Sequence, residues 1–170
     1  RAAAPTRDAK TGRWHFASHP RFQPNLSPEE VLRRGSFGGT YFRTIDSAVT
    51  GTRIAASEAL DSTVSKEWIR GIDKSLLTSP VYHAHRNRYG VKCGGSLGMW
   101  ESSGWISALD PYGAFQWYCR FFQGRRTTDD DRQIARFLGV MGDKGRFRTP
   151  LMNKCLASGK RHDDTSVSPV

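Results

Sequence analysis

Residues 110–126 read DPYGAFQWYCRFFQGRR. Six aromatics (Tyr112, Phe115, Trp117, Tyr118, Phe121 and Phe122) fall within these 17 residues, and the pair Arg125–Arg126 closes the stretch. Asp110 is placed to cap, and Pro111 to open, a helix reaching about Gln123, with Gly124 as its stop. On such a helix the rings cover most of the circumference, and a helix that is apolar all round is buried. Core packing is therefore favoured over base stacking beside a basic edge.

Two further helices follow. Thr128 is the expected cap of the first, with Asp129, Asp130 and Asp131 in its opening turn, where the helix dipole favours anions. Ile134, Phe137, Leu138 and Met141 then form one apolar stripe, ended by Gly142. Thr149 and Pro150 open the next helix, with Leu151, Met152, Cys155 and Leu156 on one face and Gly159 beyond it.

Upstream, Ser27-Pro28-Glu29-Glu30 carries a capping box for a short helix that stops at Gly35. Residues 36–54 are rich in Gly, Thr and aromatics and read as one or two short strands or irregular chain. A short helix is expected over Lys66–Arg70 and another around Leu97–Trp100. Residues 83–95 read as loop, with some strand between Tyr89 and Cys93. The expected fold is α+β and mainly helical, with short strands in the N-terminal half and a three-helix C-terminal unit. It divides into an extended basic arm (1–25), a single globular domain (26–158) and a polar tail (159–170).

Composition narrows the function. The 170 residues carry 26 Lys and Arg against 16 Asp and Glu, a net charge of +10. A surface of this kind seeks an acidic partner: nucleic acid, anionic lipid or an acidic protein face. The apolar fraction of 37% is low beside the roughly 45–50% of globular domains, a count that includes Gly. Part of the length is therefore expected to lie outside a packed core. The cysteines, Cys93, Cys119 and Cys155, are odd in number and widely spaced, which is no disulfide framework and points to a reducing intracellular compartment. No apolar run approaches a membrane span. The opening RAAAPTRDAKTGR is Ala- and Arg-rich, as in the remnant or neighbour of an organellar transit sequence, or in an ordinary basic arm. Chloroplast, mitochondrion and nucleus all remain open.

The binding residues expected for an anionic partner are Arg120, Arg125, Arg126, Lys144, Arg146 and Arg148. From 111 to 161 there are eleven cations and four acids, so this region holds most of the net charge. The loop GDKGRFR (142–148) between two helices is its most basic segment. In the arm, Arg13, Trp14, Phe16, Arg21 and Phe22 are the expected partner-docking residues, since aromatics in a polar segment imply a surface to lie against.

Other motifs carry less. Gly94-Gly95-Ser96-Leu97-Gly98 matches the nucleophile turn GxSxG, but only His162 follows to act as base, so Ser96 is read as a helix cap. His83, His85 and Cys93 are too few for a metal site. Asp129–Asp131 point in three directions on a helix and do not converge on an ion. Gly35–Gly39 could cradle a phosphate through backbone amides, or serve close packing. No catalytic residue, metal or cofactor is read from the chain.

Several segments resemble a family of uncharacterised predicted proteins from algae, fungi and other protists. They are GSFGGTYFR (35–43), NRYGVKCGGSLGMWESSGWI (87–106), DPYGAFQWYCRFFQGRR (110–126), DDDRQIARF (129–137) and GDKGRF (142–147). The likeness spans roughly residues 24–168 of a single domain. Ala114 departs from it, standing where a bulky aromatic is expected. The family has no assigned activity, so the resemblance transfers no site residue.

The expected function is a non-enzymatic basic accessory or structural subunit docking on a larger intracellular assembly: ribonucleoprotein, chromatin or an organellar membrane complex. The alternative is an independent nucleic-acid-binding domain using the Arg-rich helical surface. An enzyme acting on nucleic acid is a distant third.

Overall fold

A computed structural model describes residues 1–88, 90–92, 94–164 and 166–167. An antiparallel pair, β1 (Thr6–Arg7) and β2 (Trp14–His15), comes first, followed by α1 (Pro28–Arg33). A second antiparallel pair, β3 (Ile45–Ser47) and β4 (Thr52–Ile54), leads into α2 (Ala56–Thr63). Two single 3₁₀ turns, Lys74–Leu76 and Ala84–Arg86, precede α3 (Leu97–Ser102), α4 (Ala114–Phe122), α5 (Asp130–Met141) and α6 (Arg148–Ser158). The fold is thus α+β and mainly helical, with its strands in the N-terminal half and three helices at the C-terminal end.

Local chemistry sets most of these elements. Ser27 and Glu30 form the reciprocal capping box of α1: Ser27 Oγ accepts the Glu30 N–H at 3.2 Å, and Glu30 Oε2 accepts the Ser27 N–H at 2.7 Å. Arg7 of β1 adds a hydrogen bond to Glu30 Oε1 at 3.1 Å, which ties the first hairpin to α1. The β3–β4 hairpin pairs Ile45 with Ile54 and sets Asp46 opposite Arg53 at 3.1 Å. Its strands lie at the C-terminal end of the Gly- and Thr-rich segment 36–54, and residues 36–44 run through turns and irregular chain.

Four local expectations are corrected. Lys66–Arg70 is a run of turns, and the helix of this region, α2, lies at 56–63, where Ala55 at the N-cap has no capping side chain and Thr44 Oγ1 accepts the Ala56 N–H at 3.2 Å. α4 begins at Ala114 rather than Pro111, because Gly113 at φ +91° breaks the helical backbone just before it. Asp110 does not cap it. The Tyr41 hydroxyl instead accepts the N–H of Gln116, in the first turn of α4, at 2.9 Å and donates to the Tyr112 carbonyl at 2.6 Å. Thr128 does not cap α5. The preceding Thr127 instead donates its N–H and its hydroxyl to the Asp130 carboxylate, both at 3.0 Å. Tyr89 and Cys93, the bounds of the expected strand at 89–93, lie outside the described residues.

Two clusters of buried side chains meet on α4. One gathers Leu32, Tyr41, Phe42, Ile45, Leu60, Leu77 and Tyr112, with Phe115 of α4 packed against it. The other gathers Phe16, Phe22, Trp117, Phe121 and Ile134. Trp117 and Phe121, one turn apart, face the second cluster, so the aromatic density of residues 112–122 serves two cores at once. Gln116 pins α4 to the side of the first cluster: its side chain accepts the Tyr112 N–H and donates to Thr63 Oγ1, each at 3.0 Å.

The arm of residues 1–25 folds back on its own domain. Phe16 and Phe22 are 2% and 1% exposed, and the Phe22 ring meets those of Trp117, Phe121 and Phe137 edge-on or tilted at 4.9–5.5 Å. Trp14 is half-buried, edge-on to Phe122 at 4.9 Å. Burying each of these phenylalanines is worth roughly 1.5–3 kcal/mol. The Ala2 N–H adds a bond to the Gly124 carbonyl at 2.9 Å. Gly124 sits at φ +93°, and a Cβ there would lie 2.7 Å from the Ala2 carbonyl oxygen, so glycine at this helix stop also admits the arm.

Candidate docking surface

The six cations expected to bind an anionic partner separate into two groups. Arg120, Arg125 and Arg126 belong to the interior chemistry of α4. Asp110 is fully buried, and its two oxygens receive Arg120 Nη1 at 3.0 Å and Arg125 Nη2. The turn at 107–113 presents Asp110 to both: its N–H bonds the Ser107 carbonyl, and its own carbonyl accepts the Gly113 N–H. Burial raises the Asp110 carboxyl above its ordinary value, while Arg125 and Arg120 pull against that shift. The Arg126 guanidinium lies 3.8 Å from the centroid of the Phe121 ring and donates to the Phe121 carbonyl at 2.8 Å and to Ser18 Oγ at 2.9 Å. These three arginines hold α4, its exit turn and the arm together. Each of the three side chains is thus engaged within the chain while remaining partly exposed.

Lys144, Arg146 and Arg148 lie on the loop between α5 and α6. The chain reverses there through bonds from Gly142 N–H to the Leu138 carbonyl (3.0 Å), Arg146 N–H to Gly139 (3.1 Å) and Phe147 N–H to Val140 (3.2 Å). Arg148 pairs with Asp143. Arg146 stands 5.3 Å from the Phe147 ring centroid. Lys144 and Arg146 are exposed, and among the described residues neither has an acid within ion-pair distance. From the arm, Arg13 reaches this loop, 3.8 Å from Asp143, and Arg21 is exposed. Of the expected arm residues, then, Arg21 is exposed, Arg13 and Trp14 are half-buried, and Phe16 and Phe22 serve the core.

The structure adds residues that patterning assigned to the core. Met152 and Leu156 of α6 are 48% and 80% exposed, and Phe147 and Met141, which precede them in the chain, are 65% and 58% exposed. Seven large apolar side chains are exposed among the described residues, and four of them fall between 141 and 156. Met152 and Leu156 are one helical turn apart and share a face. Over 141–161, six cations (Lys144, Arg146, Arg148, Lys154, Lys160 and Arg161) stand against one acid, Asp143. The apolar residues of α6 read as a core face, but α6 buries none of its residues. The signal available in the sequence was Phe147, a large ring inside the most basic loop.

The remaining motifs resolve locally. Ser96 caps α3, its Oγ accepting the Met99 N–H at 3.2 Å. Within Gly35–Gly39, the Gly35 and Gly38 N–H groups are used in turns, bonding the Leu32 and Gly35 carbonyls. Gly38 also packs on the Tyr82 ring. Asp129 pairs with Arg132, Asp130 is buried and Asp131 is exposed, so the three carboxylates diverge. The His83 and His85 rings are 5.7 Å apart, and Cys93 lies outside the described residues. Ala114 is exposed at the start of α4. Among the described residues no group of three or more His, Cys, Asp or Glu gathers as for a metal ion, and no helix is long and apolar enough to cross a membrane.

Comparison of the chain with family models, with curated proteins and with solved structures gave no match.

Proposed function

We propose that this chain is a non-enzymatic basic accessory subunit that docks on a larger intracellular assembly through the 142–147 loop and α6. One observation carries the reading: Met141, Phe147, Met152 and Leu156 are exposed within a segment of six cations and one acid. Exposed apolar side chains gathered in one segment mark contact sites, and the cations around them favour a partner with an acidic rim. A phosphate backbone would engage the cations but leave Phe147 and Leu156 in water. A protein face of a ribonucleoprotein, chromatin or organellar membrane complex covers both.

Independent nucleic-acid binding is the second reading, favoured by the exposed Lys144 and Arg146, which have no acid within ion-pair distance among the described residues. Sedimentation of the native protein from cell extract, with and without nuclease, separates the two. On the first reading, the protein co-migrates with a large particle after nuclease treatment, and Phe147→Ser with Leu156→Ser returns it to the top of the gradient. On the second, nuclease alone releases it. Sedimentation as a free monomer in both conditions removes the docking role.

A further inference from the structure

A separate cleft opens beside the first core cluster. It has a volume of about 270 Å³, and its lining includes Tyr41, Tyr82, Trp100 and Tyr112 together with Arg43 and Lys92. No acid is among the lining residues, and among the described residues neither Arg43 nor Lys92 has a carboxylate within ion-pair distance. Small-molecule sites combine apolar and aromatic walls with a few polar groups that fix orientation. Here the polar groups are two cations.

The walls are held in place before any ligand arrives. The Tyr41 hydroxyl is engaged by Tyr112 and Gln116, and the Tyr112 hydroxyl donates to the Arg43 carbonyl at 2.7 Å. The Arg43 side chain is steadied by a bond from Nη1 to the Thr40 carbonyl at 3.2 Å. The Gly38 backbone packs on the Tyr82 ring, and the Gly94–Gly95 backbone packs on the Trp100 indole. Lys92 Nζ lies 5.9 Å from the Tyr82 ring centroid. Fixed rings and a fixed guanidinium lose little freedom on binding, which favours affinity.

The geometry points to a binding site for a small planar anion: one aromatic or heteroaromatic ring system bearing a phosphate or a carboxylate, up to the size of a nucleoside monophosphate. The aromatic walls supply contact to the ring, and Arg43 and Lys92 take the anionic group. Net positive lining without an acid selects against neutral and cationic rings. The volume excludes a long polymer from the cleft itself. The site is independent of the α6 surface, and its test is independent of particle docking.

Titration calorimetry on the full chain, paired with tryptophan fluorescence, tests the proposal. The probes are UMP and AMP for a phosphate-bearing ring and benzoate for a carboxylate-bearing ring. Uridine, adenosine and inorganic phosphate serve as comparisons. At least one ring-bearing anion should bind and quench Trp100, and its neutral counterpart or bare phosphate should bind about 10–100-fold more weakly, as expected for loss of charge-assisted bonds or ring stacking. Arg43→Gln with Lys92→Gln should weaken binding by the same order, and Trp100→Phe should remove the quench while binding persists. Binding by UMP but not benzoate identifies a nucleotide site, and the reverse identifies an aromatic carboxylate site. The proposal is overturned if no ring-bearing anion binds, if inorganic phosphate binds as tightly as UMP, or if the double Gln variant, native by circular dichroism, binds unchanged.

Discussion

Trp117 donates its indole N–H to Asp130 Oδ1 at 2.8 Å, joining α4 to the first turn of α5 inside the core. Asp130 is 3% exposed and also receives the N–H and hydroxyl of Thr127. One carboxylate thus satisfies a buried donor on one helix and fixes the start of the next. Removing it strands the indole N–H, at a cost of about 1–3 kcal/mol for an unpaired buried group. Asp130→Ala should lower the free energy of unfolding in urea by at least that much. A loss under about 0.5 kcal/mol, the usual effect of a surface substitution, would place Asp130 outside the core.

The buried Asp110 with Arg120 and Arg125 makes a sharper contrast. Asp110→Asn leaves two partly buried guanidiniums facing a neutral amide, and breaking a buried ion pair from one side costs about 3–5 kcal/mol. Unfolding midpoints should fall steeply for Asp110→Asn. Arg120→Gln should likewise act on stability and leave any salt-dependent binding at the α6 surface unchanged. A shallower salt slope in a folded Arg120→Gln protein would return this arginine to the binding surface.

The arm and α6 should respond in opposite ways. Phe22→Ala removes a ring packed among Trp117, Phe121 and Phe137, and truncations of this kind cost about 3–5 kcal/mol. Leu156→Ser, on an 80% exposed residue, should stay within about 0.5 kcal/mol of the parent. Denaturation curves that rank these two substitutions the other way would contradict the packing described here.

Alkaline pH provides a test of the tyrosines. Burial raises the Tyr41 and Tyr118 hydroxyls well above their ordinary value and pushes Tyr112 up to about 12. The unfolded chain loses these protons near pH 10, while the folded chain keeps them. Below pH 10 the two states bind the same protons, so the contribution to stability is intact there. It is lost as pH rises above about 10, through about 12 for Tyr112 and beyond that for Tyr41 and Tyr118, because only the unfolded state gains by ionising. Absorbance of tyrosinate should therefore show these three hydroxyls titrating together with unfolding rather than near pH 10. Three normal titrations in a protein that stays folded would argue against their burial.

Cysteine labelling separates two thiols. Cys119 is fully buried on α4, and burial raises its thiol well above the ordinary value, so the reactive thiolate is scarce. Cys155 on α6 is partly exposed. At pH 8, mass spectrometry after a thiol reagent should find Cys155 modified and Cys119 intact until denaturant is added. Labelling of Cys119 in the native protein would mean that α4 opens readily.

Much of the architecture was legible in the chain itself. Local signals with short reach gave α1, α3, the short strands within 36–54 and the three C-terminal helices, because capping boxes, glycine stops and apolar stripes act over one or two turns. The aromatic density of 112–122 marked α4 as a core helix for the same reason, and Trp117, Cys119 and Phe121 are buried on it while Ala114 is exposed. What sequence could not supply was the choice of partner for each charged or polar group. Asp110 has the position of a helix cap, yet a hydroxyl 75 residues away takes the Gln116 N–H, and Asp110 closes an ion cluster instead. Arg120, Arg125 and Arg126 carry the same charge as Lys144 and Arg146. Only packing decides that the first three serve the core while the other two meet solvent. The apolar residues of α6 repeat as a core face would, and the tertiary structure leaves them outside because the two cores on α4 are already filled by Phe16, Phe22 and the residues around Tyr41. Periodicity determines which side of an element is apolar. The rest of the fold decides whether anything is there to cover it.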